Sequence, residues 1–264
     1  MRILASGVDS GCPDRHDAVM PWSFSTLRRV WGYGISGVLI AVILPYPLMA
    51  IVGGDDQVHR VHDTAGAVQY LLWWGVPIAV WTHRRLDSGT WLLALASALA
   101  IAGAAVPTGD LVTAGSWAPL ATMLVLVPGR EEWSRWWFDA GLVPVTLVLA
   151  AMAWRLVPGL VDTQDVAAAD VHGARYHYGG MAAAYAAAAA GSVVALVSPS
   201  RLVRWLLAAG CVVIGVSCLV WPTSVSALPT AEAWVYLSCG AVVFVGAAYD
   251  AARARSASRL LAAP

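Results

Sequence analysis

The chain has few charged residues. They make up 12% of its 264 residues, whereas hydrophobic residues make up 59%, and the mean hydropathy is +0.68. Soluble domains carry about 25% charged residues, so this composition excludes an ordinary soluble protein. Lysine is absent, and all 16 basic residues are arginines. Low charge together with long apolar runs indicates an integral membrane protein whose main partner is the lipid bilayer.

Several functional motifs are also missing. The four cysteines form no CxxC pair, which argues against a zinc ribbon or a thioredoxin-like redox site. The sequence contains no phosphate-binding loop, HExxH helix, nucleophile motif or nucleic-acid patch, so no nucleic-acid partner is expected. Residues 1–27 have no apolar segment of the signal-peptide type, and we expect them to be a cytoplasmic tail. Since no charged residue falls near the middle of an apolar run, an ion-coupled pump or channel is disfavoured.

Eight apolar runs approach the roughly 20 residues that a membrane-spanning helix needs. They cover residues 30–53, 64–82, 90–106, 111–128, 137–157, 178–197, 203–221 and 232–250. The sequence therefore predicts an all-α polytopic bundle of eight transmembrane helices. Thirteen arginines fall on one side of such a bundle, and three, Arg60, Arg155 and Arg175, fall on the other. The positive-inside rule then predicts a multi-pass protein of the cell membrane with both termini in the cytoplasm.

The two halves of the chain share residues in one order at nearly constant spacing. At an offset of 115, His62 matches His177, Tyr70 matches Tyr185 and Pro107 matches Pro222, and the tetrapeptide at 91–94 recurs at 205–208. We interpret this as a duplicated four-helix unit. The first repeat is assigned to 28–133 and the second to 134–252, between the tail at 1–27 and a cytoplasmic C-terminal tail at 253–264. Four helices per unit give parallel repeats, so equivalent positions face each other at the same membrane depth.

Histidines and aspartates collect on the predicted outer side. His59 and His62 precede the second span, His172 and His177 precede the sixth, and aspartates accompany both pairs. Imidazole with carboxylate suits zinc, copper, iron or nickel, and a zinc site needs three or four such ligands. The four histidines are therefore candidate ligands of a transition metal. His62 and His177 are alternatively candidate axial ligands of a haem, one from each half.

No strong metal-binding spacing accompanies these histidines. The alternative interpretation is a histidine-rich membrane boundary with an ordinary helix start at Asp63 and Thr64.

Aromatic residues suggest a second kind of site. Most of the 14 tryptophans lie near predicted membrane interfaces, as in an aromatic belt. Tyr70, Trp73 and Trp74 lie deeper in the second span, and Tyr185 is the equivalent of Tyr70 in the second half. These side chains are candidates for lining the pocket of a small lipophilic ligand. Helix–helix packing is the alternative explanation.

Three functional hypotheses follow. The leading one is a binding or catalytic site on the outer side between the halves, which holds a metal, a haem or a lipophilic molecule. The second is a cofactor-free membrane enzyme for a prenyl, terpenoid or lipid-like substrate. In that enzyme Asp63 would be the catalytic proton donor, and aromatic rings would stabilise a cationic intermediate. The third is a non-catalytic subunit that packs against a membrane protein partner or a second copy of itself. In each case the alanine run at 182–190 is expected to be buried where the halves meet.

Overall fold

The structure is a computed structural model that describes residues 29–30, 32–34, 37, 41, 44–52, 59–83, 88–107, 137–166 and 177–261. It is 88% helical, and no strand occurs in this part of the chain, which confirms the all-α prediction. The predicted span at 111–128, the N-terminal tail and His172 lie outside the described residues.

Seven helices run from residue 45 to residue 261 among the described residues, and a few helical residues between 29 and 41 precede them. We number them α1 (Pro45–Val52), α2 (His62–Gly66, Ala67–Tyr70, Leu71–Gly75 and Val76–His83 in succession), α3 (Ser88–Ala105), α4 (Val143–Val166), α5 (His177–Val197), α6 (Arg201–Val220) and α7 (Thr230–Leu261).

Four of these helices are long and apolar enough to cross a membrane. They cover Ala140–Gln164, Tyr178–Val197, Arg201–Val220 and Thr230–Ser256, and a shorter apolar helix covers Ser88–Ala104. The four correspond to the last four of the eight predicted spans. Their length and composition indicate a membrane protein whose apolar helices contact the bilayer.

Helix α2 is irregular along its length. Two of its segments, His62–Gly66 and Leu71–Gly75, are π-helical and alternate with α-helical segments. A π-helical turn bonds residue i to i+5 and is frequent at functional sites. The helix has already begun at Arg60, three residues before the expected start at Asp63 and Thr64. Asp63 thus lies in the first turn.

Helix α4 corrects the expected loop between the fifth and sixth spans. The sequence predicts a connection over residues 158–177, but α4 continues to Val166 with Pro158 inside it. Helices in membranes tolerate an internal proline where neighbouring groups satisfy the freed backbone. A short 3₁₀ turn, Ala140–Leu142, precedes α4, and the Asp139 carboxylate caps it by accepting a hydrogen bond from Gly141 N at 3.0 Å.

Helix α5 packs extensively against both α3 and α4. Its alanine run is largely buried, with Ala182, Ala187 and Ala188 fully inaccessible. Small side chains let neighbouring helices approach closely, which drives helix association in lipid. The expected burial of this run is confirmed, and its place between the halves stays a prediction.

Helices α6 and α7 approach each other closely at two glycines. A Cβ atom on Gly215 would lie 2.8 Å from the Ala233 carbonyl oxygen, and one on Gly240 would lie 2.9 Å from the Ala208 carbonyl oxygen. Neither position has room for a side chain, so the two glycines bring the backbones of α6 and α7 into direct contact.

The two ends of the bundle differ in chemistry. At one end, the arginine end, the buried guanidinium of Arg204 bonds Asp250 at 2.7 Å and Asp139 at 3.0 Å. It joins α6 to α7 and to the segment before α4. At the opposite end, the histidine end, α2 and α5 both begin, so their side chains meet there.

Candidate functional site at the histidine end

The site is centred on two adjacent residues in the first turn of α2. His62 Nδ1 lies 2.9 Å from Asp63 Oδ1. The Asp63 side chain is 7% exposed and that of His62 is 22% exposed. An ionised carboxylate only accepts hydrogen bonds, so Nδ1 donates to it, and in a neutral imidazole the other nitrogen, Nε2, then carries the lone pair. The Asp63 carboxylate thus orients the imidazole ring through Nδ1, as carboxylates do in many histidine sites.

The His62 ring lies against the first turn of α5. A Cβ atom on Gly180 would come within 2.9 Å of Nε2 and 3.2 Å of Cδ2. The absence of a side chain at Gly180 therefore makes room for the imidazole. Since α2 belongs to the first half of the chain and α5 to the second, the ring lies where the two halves meet.

A methionine sulfur borders the same place. A Cβ atom on Gly66 would lie 3.8 Å from Met181 Sδ and 3.9 Å from His62 Nε2. Met181 is fully buried. Both side chains therefore pack near Gly66, at ordinary contact distances from the position that a Cβ atom there would take.

Buried side chains from other segments fix the starts of both helices. Ser224 Oγ, in the connection between α6 and α7, accepts a hydrogen bond from Val61 N at 3.3 Å. Gln164 Oε1, near the end of α4, accepts one from Gly179 N at 3.1 Å. The first amide groups of a helix have no partner within it, and these contacts satisfy one on each helix. They tie the start of α2 to the α6–α7 connection and the start of α5 to the end of α4.

The remaining predicted metal ligands are placed only in part. His59 is buried, at 5% exposure, and its carbonyl accepts the helical hydrogen bond of Asp63 N at 2.9 Å. His177 is placed by its backbone at the start of α5, three residues before Gly180. Among the described residues, no group of three or more His, Cys, Asp or Glu side chains has the arrangement of a metal site. The four-histidine site thus stays a prediction.

The predicted aromatic pocket residues lie further along the bundle. The Trp73 ring is 1% exposed, and its indole N–H donates to the Leu206 carbonyl of α6 at 3.3 Å. One turn earlier, the Gln69 amide donates to the Gly210 carbonyl at 2.9 Å. Both side chains therefore join α2 to α6. Trp74 is placed by its backbone alone, and Tyr70 is half-buried.

Tyr185 lies within the second half. It is fully buried, and its ring packs against that of Tyr236 with centroids 5.5 Å apart. Its buried hydroxyl lies beside the Cys218 thiol of α6. The structure thus places Tyr185 in a contact between α5 and α7, and its role in ligand binding stays a prediction.

Comparison with family models, curated proteins and solved structures gave no match. The site must therefore be interpreted from its own chemistry.

Four residues of the site were missed by sequence reasoning: Gly180, Met181, Gln164 and Ser224. The glycine pair at 179–180, which begins two residues after the candidate ligand His177, was the available signal for Gly180. Gln164 and Ser224 gave none, because each acts on a helix far away in the sequence.

Proposed function

We propose that this chain is a membrane protein that binds a ligand through His62 and Asp63 where its two halves meet, on the outer side of the cell membrane. The proposal depends on the hydrogen bond between His62 and Asp63. This bond orients the His62 ring, which packs against Gly180 of the other half. A buried carboxylate that orients an imidazole is a recurrent arrangement in metal sites and in acid–base catalysis. The ligand is a metal, a haem or a lipophilic small molecule.

Contacts between the halves support the proposed duplication. Helix α2 packs on α6, and α5 packs on α3. The proposed duplication makes α2 equivalent to α5 and α3 equivalent to α6. The contact between α2 and α6 is then equivalent to the contact between α5 and α3. Leu93 and Leu207 occupy equivalent positions in the matching tetrapeptides, and a Cβ atom on Gly191 would lie 3.1 Å from the first and 3.7 Å from the second. Equivalent residues of parallel repeats are expected to meet in this way.

The arginine distribution supports the orientation. Arg204 lies at the arginine end, and α7 carries Arg253 and Arg255 just beyond it. The positive-inside rule assigns that end to the cytoplasm. The histidine end then faces outward, and both termini are cytoplasmic.

Packing contacts weaken the case for a prenyl or terpenoid enzyme. That hypothesis needs a cavity from Asp63 to Trp74. Between these residues, Gln69 and Trp73 are buried and bonded to α6. We therefore propose the binding site as the primary function, with Asp63 as the group that orients His62.

Analysis of the full chain purified in detergent tests the proposal. We expect a bound metal, measured by elemental analysis, or a haem, measured by its Soret band, and we expect His62→Ala to remove it. His83→Ala, at the far end of α2, is the matched control and should retain the ligand. A lipophilic ligand would be extracted with solvent and measured by mass spectrometry in the same three proteins. The same content of metal, haem and lipophilic ligand in the unmodified chain, His62→Ala and His83→Ala would refute the proposal.

A further inference from the structure

Two arginines lie one helical turn beyond the ion pair that joins α6 to α7. Arg204 of α6 bonds Asp250 of α7 at 2.7 Å. Arg201 precedes Arg204 by three residues, and Arg253 follows Asp250 by three. Residues three apart on a helix are neighbours on one face. Since α6 and α7 run in opposite directions, Arg201 and Arg253 both lie next to the ion pair, toward the same end of the bundle.

These two arginines can reach a partner outside the chain. Both residues are exposed, whereas the Arg204 side chain is 9% exposed. Within the part of the chain that the structure describes, neither Arg201 nor Arg253 forms an ion pair with a carboxylate. The Asp250 carboxylate is already bonded to Arg204. Two positive charges therefore lie close together at the surface of the arginine end.

The length of α7 places these charges at the edge of the membrane. Between Glu232 and Asp250, α7 has no charged residue. This stretch rises about 27 Å at 1.5 Å per residue, close to the roughly 30 Å of a bilayer's hydrocarbon core. Trp234 and Tyr249, which are 55% and 65% exposed, lie near its two ends, as interfacial aromatic residues do. Arg253 then lies about 4.5 Å beyond Asp250, at the level of lipid headgroups.

We propose that Arg201 and Arg253 together bind the phosphate group of an anionic phospholipid, in the leaflet at the arginine end. The planar guanidinium group presents N–H donors that match phosphate oxygens, and basic residues beside a membrane span attract anionic lipids. Charge complementarity selects an anionic lipid, because a zwitterionic headgroup would bring its own cation toward the two arginines. The site lies at the opposite end of the bundle from His62 and Asp63, so it goes beyond the ligand proposed there.

Titration of the purified full chain with phosphatidylglycerol, followed by native mass spectrometry from detergent micelles, tests this site. Phosphatidylcholine with the same acyl chains is the control for the lipid tails, and inorganic phosphate is the control for the phosphate group. We expect phosphatidylglycerol to bind more tightly than either. Arg201→Gln and Arg253→Gln should each weaken its binding about fivefold, the contribution of one arginine near an anionic surface.

Control variants separate the paired site from general attraction by positive charge. Arg201→Lys and Arg253→Lys keep the charge and should retain more affinity than the glutamine variants. Arg255→Gln removes another exposed arginine of α7, whose Nε donates to the Ala251 carbonyl of its own helix, and it should have little effect. Thermal unfolding in a neutral detergent should be the same for all these variants, because the substituted residues are exposed.

Several results would overturn the lipid site. Equal affinity for phosphatidylglycerol and phosphatidylcholine, or phosphatidylglycerol binding that Arg201→Gln and Arg253→Gln leave unchanged, would do so. An equal loss in Arg255→Gln would replace the paired site with diffuse attraction, and displacement of the lipid by equimolar inorganic phosphate would assign the arginines to a free anion. His62→Ala should not change phosphatidylglycerol binding, so this inference and the proposed function can fail independently.

Discussion

The imidazole of His62 occupies the space that a side chain at position 180 would fill, since a Cβ atom on Gly180 would come within 2.9 Å of Nε2. His62, in the first half of the chain, can hold this position because Gly180, in the second half, has no side chain. The His62–Asp63 pair therefore lies at a junction of two helices, and the function proposed for it depends on that junction.

Gly180→Ala should displace the His62 ring. The added methyl group meets the far edge of the ring, so we expect a modest loss of stability, about 1 kcal/mol, as for other overpacked sites. We also expect a larger loss of bound ligand, because Nε2 moves. ¹⁵N NMR of the His62 imidazole and ligand content should both change. Gly103→Ala in α3, where a Cβ atom meets nothing within 4 Å, should change neither.

Gly215→Ala should separate α6 from α7. The new methyl group would lie 2.8 Å from the Ala233 carbonyl oxygen and 2.8 Å from Leu237 N, and backbone atoms yield less easily than side chains. We expect a loss of about 1–3 kcal/mol, measured as a lower midpoint of unfolding in a denaturing detergent. Gly159→Ala, in open space on α4, is the control. Equal midpoints for the two variants would contradict the close contact.

Arg204→Gln should destabilise the arginine end. The guanidinium is 9% exposed and bonds two carboxylates that are 28% and 46% exposed. Removal of one partner from a fully buried ion pair costs about 3–5 kcal/mol. Because solvent screens these carboxylates in part, we expect about 2 kcal/mol, measured by thermal unfolding. Arg255→Gln, an exposed residue that bonds its own helix, should have little effect.

Trp73→Phe removes the indole N–H that donates to the Leu206 carbonyl. Hydrogen bonds between membrane helices contribute about 0.6 kcal/mol on average, so we expect a loss of about 1 kcal/mol that includes some packing. Trp154→Phe, at a position that is 85% exposed, is the control. If Trp73 lined a ligand pocket instead, Trp73→Phe would reduce binding of a lipophilic ligand without lowering stability.

The sequence was most informative where composition alone decides the structure. The apolar runs at 178–197 and 203–221 predicted α5 and α6 almost to the residue, and the histidines before the second span pointed to the start of α2. Apolar composition continues to favour a helix wherever the chain remains in lipid, so these predictions required no tertiary information.

Features that depend on contacts between helices were not predictable from one sequence. Periodicity shows which residues share a face, but it does not show which helix that face meets. Trp73 therefore looked like a possible pocket residue, although it bonds Leu206 more than a hundred residues away. Similarly, the link of Arg204 to Asp139 and Asp250 brings together three distant segments, and nothing in the spacing of these residues indicates it.

Native mass spectrometry of the full chain, released intact from detergent micelles, tests the central claim most directly, because it detects a metal, a haem or a lipophilic ligand in one measurement. We predict a defined mass increment on the unmodified chain that is absent from His62→Ala, reduced in Asp63→Asn and retained in His83→Ala. A single mass without any increment, the same in all four proteins, would contradict a ligand site at His62 and Asp63.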